Sequence, residues 1–209
     1  MSNFFRKPFK YTFKNATLIL ILINVAVFFL TSFFPNLTYY LALNPVFVLS
    51  GHYYFQFITY MFVHGNWQHL FFNMLGILVF GINLEKGLGS KEFVCLYLIT
   101  GIFSGLLSFI TYIFTNQAMV FLMGASGSLY AILFAYAVFF PRSIIYIWGI
   151  IPVPAPILVL AYAIIEAGSQ LLGRGGNVAH MAHLFGFLGA WLYVRIRMGI
   201  KPLKVWRGR

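Results

Sequence analysis

A serine and two histidines stand near the starts of separate apolar stretches of the sequence. Ser126 lies in GASGSLY, two residues after Gly124, and His183 lies in NVAHMAHLFGFLG. A neutral imidazole can accept the proton of a serine hydroxyl, so a serine–histidine pair indicates nucleophilic catalysis. His69 lies in a third stretch, HGNWQHLFFN, four residues before Asn73, so these two residues share one helix face.

The same stretches offer donors for the negative charge that such a reaction creates. Backbone N–H groups at the start of a helix have no partner within that helix, so those beside Ser126 can stabilise an oxyanion. His69 and Asn73 offer two further donors to the same oxygen. Tyr130 follows Ser126 by four residues and lies on its helix face. We therefore expect the Tyr130 ring to pack against the catalytic base.

The composition places these residues in a membrane protein. Of the 209 residues, 61% are hydrophobic, 20% are aromatic and only 8% are charged, and the mean hydropathy is +0.88. A soluble domain has about 45–50% apolar and about 25% charged residues, so this composition excludes a soluble enzyme and a disordered tail. Cys95 is the only cysteine, which excludes a scaffold of internal disulfides.

The apolar runs predict an all-α membrane protein with six transmembrane helices. A span needs about 20 residues, so six spans with short loops fit the length. Segment 35–63 is rich in Tyr and Phe but has few long apolar runs, which predicts short amphipathic helices at the membrane interface. The predicted spans are approximately residues 17–34, 64–84, 92–114, 126–140, 155–172 and 178–197.

The predicted fourth helix is short, and this places Ser126 below the membrane surface. From Ser126 to Phe140 the helix measures about 22 Å, against about 30 Å for the bilayer core, so Ser126 lies roughly 8 Å below the outer surface. His69 and His183 lie about 8 Å below the predicted starts of their helices. Polar groups at this depth usually face a bundle interior or a water-filled cavity. We therefore predict one shared polar site around a short central fourth helix.

The segment PRSIIYIWGIIPVPAP separates the fourth and fifth spans. Its prolines, Pro152, Pro154 and Pro156, forbid a regular helix. The sequence predicts a short hydrophobic loop against the membrane, with the fifth helix starting near Pro156. The alternative is one long kinked helix that begins at Ile144.

The placement of the basic residues predicts the orientation in the membrane. With six spans, 13 of the 14 basic residues fall on one side and only Arg174 falls on the other. The positive-inside rule then makes both termini cytoplasmic. The net charge of +11 thus indicates the orientation in the membrane and contact of basic residues with lipid headgroups. No nucleic acid partner is expected. The predicted organisation is a basic segment 1–14, a membrane domain 15–198 and a basic tail 199–209.

In these motifs the chain resembles the rhomboid family of intramembrane serine proteases. The family's Gly-x-Ser-Gly motif, at the start of the fourth helix, corresponds to residues 124–127. Its sixth-helix histidine and the glycine after it correspond to His183 and Gly186. Its second-helix histidine and asparagine correspond to His69 and Asn73. All of these motifs occur in the order in which the family has them.

The resemblance covers about residues 15–198 and implies both a fold and an activity. A rhomboid-like bundle would use a dyad of Ser126 and His183 to cleave transmembrane protein substrates near the outer surface of the plasma membrane. It would need no metal and no cofactor, substrates would enter between the second and fifth helices, and Tyr130 matches the family as well. The alternative is a non-catalytic rhomboid-like protein that binds transmembrane helices, but such relatives lack the serine or the histidine.

His180 is the rival for the role of base. It lies one turn nearer the outside than His183 and has no glycine three residues later, so the sequence favours His183. The two histidines also suggest a metal site. No HExxH motif is present, and no carboxylate or thiol stands near them in the sequence, so a metal is not expected.

Three further positions leave alternatives open. Glu166 is the only acid within a predicted span, and it either orients a histidine, contacts the water cavity or reaches the outer interface. His64 is expected to be a hydrogen-bonded interfacial residue. Phe55 and Gln56 stand where the family often has Trp-Arg, so an arginine contact in the first loop is not expected here.

Overall fold

The computed structural model describes Arg6 and residues 9–147, 149–172 and 177–208. Within these residues, six helices of 14 to 25 residues form a bundle, and four shorter helices connect or flank them. In chain order the elements are α1 (Ala16–Phe33), α2 (Asn36–Leu41), α3 (Pro45–Gly51), α4 (Gln56–Thr59), a 3-10 turn (Tyr60–Phe62), α5 (Trp67–Leu88), α6 (Ser90–Phe114), α7 (Ser126–Phe139), β1 (Ile144–Ile147), β2 (Ile151–Pro154), α8 (Ala155–Leu171), α9 (Asn177–Ile196) and α10 (Pro202–Trp206).

Three of the helices in the described ranges, α1, α5 and α6, are long and apolar enough to cross a bilayer. Helices α7 and α8 are apolar but shorter, with 14 and 17 residues. The helix bounds lie within two residues of the predicted spans except for α5. That helix begins at Trp67, three residues later than predicted, because the Asn66 side chain accepts the N–H of His69 at 2.8 Å and caps it.

Helix α7 lies inside the bundle and packs against α5, α6, α8 and α9. Most of its side chains are buried. Gly127, Ala131 and Ala135 recur every four residues along it and are small, so neighbouring helices approach its backbone closely.

Ile144–Ile147 and Ile151–Pro154 pair as an antiparallel β-hairpin, so the predicted loop contains two short strands that were not predicted, and the alternative kinked helix is wrong. Ile144 pairs with Pro154 and Ile147 pairs with Ile151. The β-branched isoleucines favour extended backbone, and two strands alone have free outer edges, where a proline without an N–H is tolerated. The predicted all-α fold is therefore a helical bundle with one small hairpin. Helix α8 starts at Ala155, within a residue of the predicted start.

The segment between α1 and α5 contains the short helices that its aromatic composition predicts. Gln56 holds this segment in place. Its side chain is fully buried. It accepts the N–H of Asn44 at 3.1 Å and donates to the carbonyl oxygen of Tyr40 at 2.9 Å. Asn44 in turn donates to the carbonyl oxygen of Val120 at 3.0 Å. A neutral amide thus holds the segment against the α6–α7 connection, at the position where the family often has arginine.

Glu85 of α5 holds the start of α1 at one end of the bundle. Its carboxylate accepts the backbone N–H groups of Ala16 and Thr17 at 2.6 and 2.8 Å. It also accepts the Thr17 hydroxyl at 2.7 Å and the Ser90 hydroxyl at 2.5 Å. The side chain of Asn15, at the N-cap of α1, makes no capping hydrogen bond. A buried acid from another helix therefore satisfies the free N–H groups of α1.

Candidate active site

A cavity of about 580 Å³ opens between α5, α7, α8 and α9. Five of the polar side chains at its wall come from the three helices that the sequence singles out, and a sixth, Tyr162, comes from α8. The five are His69, Asn73, Ser126, Tyr130 and His183. The sequence-predicted residues are thus brought together in one place, and apolar side chains form most of the remaining wall.

Ser126 is the first residue of α7, and no side chain caps that helix start. The backbone before it turns at Gly124, whose φ of 120° is a conformation that residues with a side chain rarely adopt. A Cβ at Gly124 would lie 2.6 Å from Nε2 of His69. Gly124 therefore serves two needs at once, the sharp turn into α7 and the close approach of the His69 ring.

The nearby Ser128 has a different environment from Ser126. Its side chain is fully buried and its hydroxyl donates to the carbonyl oxygen of Tyr97 at 2.7 Å. It does not line the cavity wall, whereas Ser126 does. Only one of the two α7 serines is therefore in a position to meet a ligand.

His183 lies under the ring of Tyr130. The two rings are stacked, with centroids 4.2 Å apart and planes 8° apart. The close packing of α9 on α7 makes this stack possible, because Gly186 of α9 has no side chain to keep the backbones apart. The stack restricts rotation of the imidazole about its side-chain bonds.

His69 and Asn73 occupy the first two turns of α5. His69 is the third residue of the helix, so it lies about 3 Å below the helix start and not the predicted 8 Å. The Asn73 amide donates one N–H to the carbonyl oxygen of His69 at 2.7 Å. An amide nitrogen carries two hydrogens, so one donor remains for a ligand in the cavity. His64 is buried, 4% exposed, with its ring edge-on to that of His69.

Glu166 of α8 contacts both histidines of α9. The sequence alone leaves the role of Glu166 open. One carboxylate oxygen, Oε2, lies 2.5 Å from Nδ1 of His180, and the other, Oε1, lies 3.0 Å from Nδ1 of His183. The Tyr130 hydroxyl donates to Oε1 as well. A carboxylate that is distant in the sequence is therefore close to the histidine pair in the structure, and of the three alternatives for Glu166 the contact with a histidine is the one observed. The signal that points to Glu166 is its rarity, a lone acid in an apolar helix.

Glu166, His180 and His183 also contain the atoms that a metal would need. Their ligand atoms all lie within 4.8 Å of one another. The direct approaches of 2.5 and 3.0 Å between nitrogen and oxygen are hydrogen-bond or ion-pair distances. Ligands of one tetrahedral zinc ion, with bonds of about 2.0–2.1 Å, stand about 3.3 Å apart. The arrangement fits a side-chain network better than a metal centre.

Fold and site together define a multi-pass helical membrane protein with a polar cavity enclosed by its helices. Residues 51–199 match the family described as Rhomboid domain, and the chain belongs to the rhomboid family. It is 33% identical over 192 residues to Rhomboid protein 1, mitochondrial, of Saccharomyces cerevisiae, covering 88% of this chain and 54% of that one.

Two other relatives come from a bacterium and a plant. The Putative rhomboid protease YdcA of Bacillus subtilis is 28% identical over 140 residues, covering 66% of this chain and 64% of the relative. Rhomboid-like protein 11, chloroplastic, of Arabidopsis thaliana is 32% identical over 200 residues, covering 88% and 65%. The chain thus spans between 54% and 65% of the length of these three relatives.

Proposed function

We propose that this chain is an intramembrane serine endopeptidase in which Ser126 is the nucleophile and His183 is the general base. The observation that carries the proposal is the cavity to which α7 contributes Ser126 and α9 contributes His183. Membership of a family whose named relatives include a putative protease supports it.

The reaction begins when Ser126 Oγ attacks the carbonyl carbon of the scissile peptide bond. His183 takes the hydroxyl proton as the new C–O bond forms, and the carbonyl oxygen becomes an oxyanion. When the intermediate collapses, the C–N bond breaks and the leaving amine takes the proton from His183. Water then gives a proton to His183 and attacks the acyl carbonyl carbon. The C–O bond to Ser126 breaks, Ser126 Oγ takes the proton back from His183, and the carboxylic acid product leaves.

The oxyanion is held by donors from residues that line the cavity. The uncapped start of α7 supplies backbone N–H groups beside Ser126. Asn73 has one amide hydrogen left after its bond to His69, and the His69 ring lies against the turn that leads into α7. Donors held in place before the reaction stabilise the charge without reorganisation, and this is a large part of catalysis in such sites.

The substrates are transmembrane proteins whose chain unwinds at the cavity. A helix hides its carbonyl groups in hydrogen bonds, so an unwound stretch is needed before Ser126 can reach one. The proposed route of access lies between α5 and α8. It is supported by Phe72 of α5 and Tyr162 of α8, which both line the cavity and are both exposed at the surface.

Six spans with both termini on the cytoplasmic side complete the proposal, with residues 15–198 as the membrane domain. Two groups of contacts support it. Glu85 near the end of α5 contacts Ala16 of α1 and Ser90 of α6, so the starts of α1 and α6 lie at the same end of the bundle as the end of α5. The Arg6 side chain, which precedes α1, donates to the carbonyl oxygen of Ile196 at the end of α9. Most basic residues belong to this end, whereas Arg174 lies outside the described residues. The named relatives include mitochondrial and chloroplast proteins, so the plasma membrane and the orientation of the termini are part of the proposal.

The function is tested with Ser126→Ala and its matched control Ser128→Ala. Purified protein is given a model membrane-anchored substrate and, separately, a fluorophosphonate probe. Ser126→Ala is expected to lose cleavage and labelling with little change in thermal stability. Ser128→Ala is expected to keep both, with a lower melting temperature because it loses the bond to Tyr97. Undiminished cleavage by Ser126→Ala would rule out the mechanism.

The orientation in the membrane is tested with tags on both termini. Both tags should resist external protease in intact cells.

A further inference from the structure

Glu166 is a buried carboxylate at the meeting point of three helices. It belongs to α8, is only 6% exposed, and contacts Tyr130 of α7 and both histidines of α9. An isolated carboxylate at such a place is costly, so its partners must compensate for the lost water. The partners here include the proposed catalytic base, which connects this acid to the reaction.

We propose that Glu166 is a positioning residue that holds His183 in the orientation and tautomer needed to activate Ser126. This inference rests on the proposed serine protease function. The unit is then a triad, with the acid supplied by α8, the base by α9 and the nucleophile by α7. Its members come from three helices, and none is near another in the sequence.

The atoms in contact decide the tautomer. Glu166 Oε1 lies beside Nδ1 of His183, so the proton of the neutral imidazole is favoured on Nδ1. Nε2 is then left with its lone pair, which is the form that accepts the Ser126 proton. Without an acceptor at Nδ1, the proton is free to occupy Nε2, and that tautomer cannot act as a base through Nε2.

The carboxylate also stabilises the charge that His183 acquires. The Nδ1–Oε1 separation is 3.0 Å, an ion-pair distance, but the geometry is not that of a hydrogen bond in this state. Catalytic hydrogen bonds are often poorly aligned in the free enzyme and tighten when the reaction begins. The attraction is greatest when His183 carries the serine proton, because an imidazolium and a carboxylate then face each other.

Tyr130 and His180 hold the carboxylate in turn. The Tyr130 hydroxyl donates to the oxygen that faces His183, while the Tyr130 ring stacks on the imidazole. His180 binds the second oxygen through Nδ1 at 2.5 Å. Each oxygen of Glu166 therefore has at least one partner, and the position of the carboxylate is restricted from both sides. This network gives His180 a role that differs from that of a base.

A different role would produce a different kinetic signature. Glu166 also ties α8, one side of the proposed access route, to α7 and α9. If Glu166 only held α8 in place beside the access route, its loss would change substrate entry and therefore KM. A positioning residue acts on the chemical step and therefore changes kcat and the rate at which the probe labels Ser126.

The experiment compares Glu166→Gln and Glu166→Asp with Ile164→Ala, a control on the exposed side of α8, 72% exposed. Glu166→Gln is expected to lower kcat and the fluorophosphonate labelling rate by at least about 10- to 100-fold, the effect of removing the partner that orients a metal-bound histidine. KM and the melting temperature should change little. Glu166→Asp keeps the negative charge and should recover several-fold of the lost activity, and Ile164→Ala should match the wild type.

Four results would overturn the proposal. They are an unchanged kcat in Glu166→Gln, a raised KM as its only effect, an Asp variant no better than Gln, and wild-type activity abolished by a metal chelator. A failure of the serine protease function itself is seen separately. In that case wild-type Ser126 is not labelled by the probe, or Ser126→Ala still cleaves substrate.

Discussion

Gly186 of α9 lies directly against the backbone of Gly127 on α7, so closely that a Cβ at Gly186 would overlap the Gly127 carbonyl oxygen. The obstacle is backbone and not the end of a flexible side chain, so it cannot move aside without shifting a helix. Gly186 is three residues after His183, and Gly127 directly follows Ser126. The contact therefore sets the distance between the two helices that carry the proposed nucleophile and base.

Gly186→Ala is expected to destabilise the protein and to reduce activity more than stability alone explains. Overpacking of a tight contact costs about 1–3 kcal/mol, and the same shift separates Ser126 from His183. Thermal unfolding and probe labelling at a low temperature measure the two effects. Gly168→Ala on α8 is the matched control, because no atom lies within 4 Å of its added Cβ. Equal behaviour of the two variants would contradict this account of the contact.

Tyr130 variants separate its ring from its hydroxyl. Tyr130→Phe keeps the stack on His183 and loses only the bond to Glu166, so its labelling rate should fall several-fold. Tyr130→Ala loses both contacts and should fall by about 10-fold or more, comparable to the loss of an orienting partner. Tyr146→Phe, exposed in the hairpin, is the control. Labelling of Tyr130→Ala at the wild-type rate would mean that the ring does not restrain the base.

The two histidines of α9 should differ sharply when replaced. His183→Ala leaves no group to accept the Ser126 proton, so nearly all turnover and labelling should be lost. His180→Ala removes only one partner of Glu166 and should be far milder. Both variants are measured by substrate cleavage in the same detergent or lipid. An inactive His180→Ala beside a fully active His183→Ala would show that the base is His180.

Asn73→Ala should weaken catalysis without abolishing it. Loss of one oxyanion donor costs about 10²–10³ in rate, or about 3–4 kcal/mol. The backbone N–H groups at the start of α7 remain, so cleavage should stay measurable above that of Ser126→Ala. The comparison is made on kcat, because the charge develops only in the transition state. If Asn73→Ala turns over substrate at the wild-type rate, Asn73 is not an oxyanion donor.

Glu85 should matter for stability and not for the chemical step. Glu85→Gln removes the charge that accepts two backbone N–H groups and two hydroxyls, and hydrogen bonds to a charged group contribute about 1.5–3 kcal/mol. The melting temperature in detergent is therefore expected to drop by several degrees. The labelling rate of the folded fraction should stay near that of wild type, and a selective loss of that rate would disagree with this assignment.

Much of the helical framework was predictable because a helix that crosses a bilayer must be apolar over the thickness of the hydrocarbon core. Runs of apolar residues mark the helices, and the described bounds of α7 and α8 lie within a residue of those runs. The hairpin at 144–154 was not predicted. Isoleucines on both sides of Gly149, whose φ is 71°, were the available signal. The three prolines of this segment indicate that no regular helix forms, but they do not predict which structure forms instead.

The sequence by itself determined which residue types stand where helices begin, and thus named Ser126, His183, His69 and Asn73 as one set. Only the tertiary structure decided what surrounds them. The contact of Glu166 with His183 depends on how α8 is rotated about its axis and how far it is shifted along α9. Those two quantities come from packing between helices that are distant along the chain, and no spacing within either helix encodes them.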